Sequence, residues 1–200
     1  VMTALYGIQW IASGGAPLVF HAVNVLLHTG VSLLVLALCV ELMSLAAAVT
    51  AGLLFAVHPV HVEAVANIVG FAELLSAFAV LAACLLHLRS GARTRWGTAL
   101  GVGALYLVAF GAKEGAVTLP GLIFLLDSAR GEIGFREIRS YLADRWRLYL
   151  VMFGVSSGLL VGRFLVLGSI ANPLVAMGVD ILREVPRIWT LGEVWMHYLR

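Results

Sequence analysis

The chain has 200 residues, of which 62% are hydrophobic and 12% charged, with a formal net charge of +2. A soluble domain averages about half apolar and a quarter charged residues, so these proportions exclude one and require a polytopic membrane protein. Nucleic acid gets no support as a partner, because there is no basic stripe with interleaved aromatics.

Lipid admits only helices or closed barrels as spanning structures, and a helix needs about 20 apolar residues to cross roughly 30 Å of hydrocarbon. The apolar runs here are too long and continuous for barrel strands, so the fold class is all-α, a transmembrane helical bundle. Val1 to Ser13 is too short to span; Tyr6 and Trp10, with Gly14-Gly15 behind them, suit an interfacial helix on the outer face. The first span is predicted from Pro17 to about Val40, the second from about Leu42 to Val57 and the third from about Val65 to Leu88. A fourth covers Gly97 to Ala112, a fifth Ala116 to Leu126 and a sixth Leu148 to Leu167, and a seventh begins near Arg187 and runs to Arg200. Cys39 and Cys84 fall inside spans and read as small apolar residues. Val1 stands before Met2, no signal peptide is evident and the last residues lie within an apolar pattern, so the ends read as those of a piece of a longer chain.

Arg89, Arg93 and Arg95 lie between the third and fourth spans, and Arg130, Arg136, Arg139, Arg145 and Arg147 between the fifth and sixth; these are eight of the thirteen Lys and Arg residues. Alternate threading puts both loops on one face, which the positive-inside rule makes cytoplasmic. The other face receives the turn His58 to Glu63, the pair Lys113-Glu114 and the segment Ser169 to Pro186.

Ionisable residues therefore gather at the non-cytoplasmic ends of the spans, and because such groups are costly in hydrocarbon their convergence points to a polar chamber. His21, Asn24 and His28 fall at i, i+3 and i+7 on one face of the first span. They form either an interhelical hydrogen-bond seam or a ligand contact, with His28 the most structural. His58-x-x-His61-x-Glu63, turned out of the second span by Pro59, offers residue types that bind divalent metal, but the spacing is no established zinc signature, so no metal is assigned. The turn presents two imidazoles and a carboxylate to a sugar phosphate or an acceptor hydroxyl, or else is an ordinary interfacial turn. Glu63, Asn67 and Gly70, at i, i+4 and i+7, make a stripe leading to Glu73, which lies near mid-bilayer and must be protonated, paired or facing water. Lys113, beside Glu114, is a compact point charge suited to a phosphate head group, and Arg163 adds a planar fork; the alternative for both is snorkelling to the interface. Asp127 is expected to cap its helix or pair with Arg130.

Phe20 to His28, Leu54 to Val65, Ile68 to Leu75 and Ala112-Lys113-Glu114 with Asp127 thirteen residues on resemble, in order and spacing, the transmembrane half of the TMTC-type O-mannosyltransferases, which continue into tetratricopeptide repeats. The resemblance implies a GT-C glycosyltransferase fold that takes a sugar, mannose in that family, from a polyprenyl-phosphate carrier and places it on a protein hydroxyl at the non-cytoplasmic side. It implies partners, namely the bilayer, the lipid-linked sugar and a protein acceptor, and no cofactor. It implies localisation in the endoplasmic reticulum membrane or a bacterial inner membrane. The family has Arg where this chain has Phe71, which removes a cation that faces the donor or pairs with Glu73. GT-C enzymes keep their acidic catalytic residues in an outer loop after a first helix, so the base is expected upstream of Val1, and the first helix, that loop and the repeats are expected outside this piece. His21, Asn24, His58, His61, Glu63, Glu73, Lys113, Glu114 and Arg163 are then the donor-site candidates. A transporter or flippase for an anionic or lipid-linked substrate is the alternative, though neither paired broken helices nor an internal repeat is evident. A metal-dependent hydrolase requires metal at His58.

Overall fold

The computed structural model describes residues 2–91, 93–131 and 138–167. Among them every regular element is helical: α1 (Met2–Ser13), α2 (Pro17–Leu42), α3 (Leu45–Val57), α4 (Val62–Ala66), α5 (Phe71–Leu88), α6 (Trp96–Ala112), α7 (Leu119–Ala129) and α8 (Ile138–Leu167). Short 3-10 turns occupy Pro59–His61, Ile68–Gly70 and Glu114–Thr118. Three stretches are long and apolar enough to cross a membrane, Pro17–Leu42, Ile68–Leu88 and Ile138–Val166. Leu45–Val57 and Pro59–Ala66, bent by 44° at their junction, together make a fourth or a re-entrant loop. The fold is an all-α membrane bundle. The predicted seventh span, the segment Ser169 to Pro186 and Arg136 lie outside the described residues.

Residues to Ser157 form one compact unit and those from Gly158 a second. In the second, the described residues are the last turns of α8, whose Phe164, Leu165 and Val166 are exposed. In the first, α5 and α6 pack as an antiparallel hairpin, α2 packs on both α3 and α5, and a core of Cys84, Val102, Tyr106, Leu119, Ile123, Leu148 and Met152 joins α5 to α8. Small residues set the approach of the helices. Ala79, Ala83, Ala99 and Ala109 are buried, and a Cβ on Gly103 would stand 2.3 Å from Val151 Cγ1. Helix pairs in lipid gain little from hydrophobic transfer and depend on such close van der Waals packing. Leu26, Leu33, Leu53 and Leu54 are exposed on α2 and α3, as befits surfaces solvated by acyl chains.

The third span differs most from the sequence expectation. A continuous helix from Val65 is replaced by α4, a 3-10 turn and α5. Asn67 breaks it: its backbone is extended (φ −89°, ψ 130°), and its Oδ1 accepts the Val69 N–H at 3.1 Å. Asn favours such caps because its short side chain competes for the backbone hydrogen bonds a helix would use. Glu63, Asn67 and Gly70 therefore do not share one helical face. Glu73 stands not ten residues into a helix but in the first turn of α5. Gly70 is required for packing, since a Cβ there would lie 1.9 Å from the Ala64 carbonyl oxygen. Backbone cannot yield as a flexible side chain does, so Gly70→Ala is expected to cost at least about 1–3 kcal/mol. Gly121→Ala, with nothing within 4 Å, is the control and should melt at or above the wild-type temperature. Thermal melting of the detergent-solubilised protein checks both, and equal melting of the two variants would contradict the corner geometry.

The sixth span also differs. α8 starts at Ile138, ten residues before the expected Leu148, so Arg139, Arg145 and Arg147 stand on a helix rather than in a loop. Tertiary contacts explain it. Arg147 lies over the rings of Trp96 and Trp146, at 5.6 and 5.4 Å from their centroids, and Arg145 reaches Asp127.

Candidate functional site

The charges of the first unit sort to two ends of its helices. At one end stand the arginines. Glu41, at the close of α2, accepts from Arg89 Nε at 2.9 Å and from Arg130 at 3.3 Å, and Arg130 also donates to the Leu88 carbonyl at 3.0 Å. Behind them is a buried network that the sequence reading missed. Asp127, 1% exposed, accepts from His87 Nε2 at 2.8 Å and from the Tyr141 hydroxyl at 2.9 Å, with Arg145 Nε at 3.5 Å. The expected partner of Asp127, Arg130, is engaged elsewhere, with Glu41 and with the Leu88 carbonyl at the end of α5. The available signals were His87 inside an apolar span and Tyr141, Arg145 and Tyr149 at i, i+4 and i+8, one face of a helix.

At the other end an open cavity of about 430 Å³ is walled by His28, Phe55, His61, Glu73 and Lys113, with Val31, Leu74 and Val80 on its apolar side. Four residues far apart in sequence meet there for local reasons. α6 stops at Ala112, where Lys113 turns extended (φ −147°, ψ 130°) and its backbone N–H donates to the Ala109 carbonyl, which leaves the ammonium beside a helix C-terminus. Glu73 is in the first turn of α5, and each charge thus faces the helix end whose partial charge it complements. The two pair across the hairpin, with Lys113 Nζ donating to Glu73 Oε1 at 2.5 Å. Both side chains are half exposed, 51% and 55%, so the pair is open to a ligand. His61 leaves the 3-10 turn toward the cavity and packs on Phe55 (4.3 Å between centroids) and His28 (5.3 Å). His28 Nε2 donates to the Ala56 carbonyl at 3.1 Å, while its Nδ1 is buried without a hydrogen-bond partner. His28 thus joins α2 to α3 through the Ala56 carbonyl, in line with the structural part expected of it, and also walls the cavity.

The other expected site residues are dispersed. Asn24 is buried, and its amide donates to the carbonyls of Val65 and Asn67 at 3.3 and 2.9 Å, so it pins the broken third span to α2. His21 is exposed on α2, outside the cavity. His58 is exposed and accepts the Val60 N–H on Nδ1, which holds the turn after α3. Glu63 faces a smaller adjoining cavity of about 280 Å³ with Asn67, Gly70 and Glu73, so Glu73 belongs to both. Glu114 is exposed at the start of the 3-10 turn after Lys113. Arg163 lies on α8 in the second unit. Among the described residues no three His, Cys, Asp or Glu side chains gather as metal ligands, so His58, His61 and Glu63 do not form one ligand set. Phe71 is buried edge-on to Tyr6 of α1, at 5.6 Å between centroids, and Glu73 finds its cation in Lys113 instead.

The fold and the site define a multi-pass helical membrane protein with a mixed cationic, imidazole and carboxylate cavity at one end of its helices. Comparison with curated proteins is specific. The chain is 39% identical over 123 residues to Protein O-mannosyl-transferase Tmtc1 of Drosophila melanogaster, covering 61% of this chain and 14% of that protein. Protein O-mannosyl-transferase Tmtc3 of the same organism is 31% identical over 210 residues, covering 76% of this chain and 22% of that one. Human Protein O-mannosyl-transferase TMTC3 is 41% identical over 85 residues, covering 42% and 9%. Over the part it spans, the chain is a relative of the TMTC-type protein O-mannosyl-transferases, in agreement with the motifs. The chain spans 9% to 22% of the length of these three relatives. No family model matches, and no solved structure matches.

Proposed function

We propose that this chain is the donor-binding part of a GT-C glycosyltransferase, which transfers a sugar from a polyprenyl phosphate to a protein hydroxyl at the non-cytoplasmic face. The single observation that carries the reading is the cavity that unites Lys113, Glu73, His61 and His28 at the end away from the arginines. Lys113 and the imidazole N–H of His61 hold the phosphate oxygens, and the apolar wall of Val31, Leu74 and Val80 takes the first isoprene units. Charge-assisted hydrogen bonds of this kind are about twice as strong as neutral ones, so the ammonium carries most of the affinity. Mannose as the sugar and a protein as the acceptor are supported by the names of the relatives. Those relatives are animal proteins, which favours the endoplasmic reticulum over a bacterial inner membrane. The catalytic carboxylate is assigned outside these residues, as the family resemblance implies.

Two experiments address this. Membranes containing the full-length protein to which these residues belong are expected to transfer labelled mannose from polyprenyl-phosphate mannose to an acceptor peptide, with the rate unchanged in chelator. A tightly bound divalent metal that disappears in His58→Ala would favour the metal site instead. Orientation is tested with Cys39 and Cys84 replaced. Cysteines introduced at Arg93 and Arg139 should react with an impermeant thiol reagent only from the cytoplasmic side, and one at the exposed Val62 only from the other. Labelling of Val62 and Arg93 from the same side would remove the threading on which the outward cavity depends.

A further inference from the structure

The cavity already contains an anion. Glu73 occupies Lys113, the ammonium that the donor reading gives to the phosphate, so a phosphate must either bind beside this pair or replace its carboxylate. We infer that it replaces it: Glu73 is the resident counter-ion of Lys113 and yields the ammonium to the phosphate of an incoming lipid-linked donor, a polyprenyl phosphate. The inference rests on the donor reading above and adds to it the part played by Glu73, which is a positioning residue.

Three features of the geometry make the exchange favourable. An ion pair as exposed as this one is worth only about two- to fivefold in an equilibrium constant, because water screens it and two long side chains must be held together. At the same ammonium a phosphate has what the carboxylate lacks, a second donor in His61 and an apolar wall for its lipid tail, so the phosphate wins the ammonium. The displaced carboxylate meets no penalty of burial. It starts from a half-exposed position, and it stays in the first turn of α5, where the helix N-terminus stabilises a negative charge. It also already borders the smaller cavity with Glu63 and Asn67, where a side-chain rotation takes it; the repulsion from the Glu63 carboxylate is eased by water, because both groups are exposed. Until a donor arrives, the pair lowers the affinity of Lys113 for any anion by no more than about two- to fivefold. Selection for a lipid over a free anion comes from the apolar wall of Val31, Leu74 and Val80.

The test measures binding of a short polyprenyl phosphate without sugar to the detergent-solubilised protein, with inorganic phosphate in parallel. The variants are Glu73→Gln, Glu73→Asp and Lys113→Ala, each first shown by thermal melting to be folded. Glu73→Gln removes the competing charge and is expected to bind the lipid about two- to fivefold more tightly than wild type, while Lys113→Ala binds it ten- to a hundredfold more weakly. Glu73→Asp, which keeps the charge on a shorter stem, should fall between Glu73→Gln and wild type. Should Glu73→Gln fail to fold, the Glu73→Asp shift decides. In transfer assays the gain in Glu73→Gln should appear as a lower donor KM. Inorganic phosphate should bind far more weakly than the lipid in every variant; equal binding of the two would overturn the assignment to a lipid. Weaker lipid binding in Glu73→Gln would overturn the exchange and make Glu73 a mere holder of Lys113. If wild type binds no lipid, or binds it without dependence on Lys113, the donor reading itself fails and the exchange with it.

Discussion

Lys113→Ala is expected to lower donor affinity and sugar transfer by about ten- to a hundredfold, the equivalent of a charge-assisted contact of about 1.5 to 3 kcal/mol. The argument is positional. Lys113 is the cation in the wall of the large cavity, fixed there by the end of α6 and held to Glu73 across the hairpin. Lys113→Arg should recover only part of the loss, since a planar fork replaces a compact ammonium on a site shaped for the latter. Transfer of labelled sugar at matched expression is the measurement, with melting temperature as the control for folding. The pair with Glu73 contributes little to stability, so neither variant should melt much below wild type. Wild-type transfer in Lys113→Ala would mean that the ammonium only snorkels to the interface, and would pass the phosphate role to other cations such as Arg163.

The second large effect is structural and lies at the opposite end. Asp127→Ala should destabilise the protein by about 3–5 kcal/mol, because it leaves Arg145, 3% exposed, facing a site from which the balancing carboxylate has gone. The same change strips His87 and the Tyr141 hydroxyl of their shared acceptor. Asp127→Asn keeps an acceptor of the same shape without the charge and should cost less. Tyr141→Phe removes one hydrogen bond and should cost about 0.5 to 1.5 kcal/mol. Thermal melting and folded yield in detergent order the three variants. An Asp127→Ala protein that melts with wild type would show that the network does not join α5, α7 and α8, and transfer per folded molecule should stay unchanged in Asp127→Asn if the network is structural alone.

Family and membrane class are both legible in the sequence, and for different reasons. The class follows from composition, because an excess of apolar residues has no soluble solution. The family follows from four motifs in register, of which three supply the cavity walls His28, His61 and Glu73 and the fourth Lys113. Less legible was how those motifs divide between binding and architecture. Asn24, His58 and Asn67 look as reactive in the sequence as His61, yet each spends its hydrogen bonds on backbone: Asn24 on Val65 and Asn67, His58 on Val60, Asn67 on Val69. A residue type states what a side chain is able to bond, and the bond it makes depends on which backbone groups have lost their helical partners nearby.

Helix periodicity and charge bias, which are local, were enough to give α1, α2, α3 and α6 nearly to their ends and to gather the arginines at one end of the helices. Periodicity missed the break at Asn67 and the early start of α8. Apolar periodicity continues through Val65 to Leu88, and the cap of Asn67 on Val69, the fit of Gly70 against Ala64 and the amide of Asn24 together make a broken path the better one. Arg145 and Arg147 read as loop cations until Asp127 and the indoles of Trp96 and Trp146 receive them. The pairing of Glu73 with Lys113, forty residues away, belongs to the same kind. Long-range partners carry no periodic trace in the chain, because their energy is gained only when separate helices meet, and so the tertiary structure alone decided which charges bind each other and which remain at the cavity mouth.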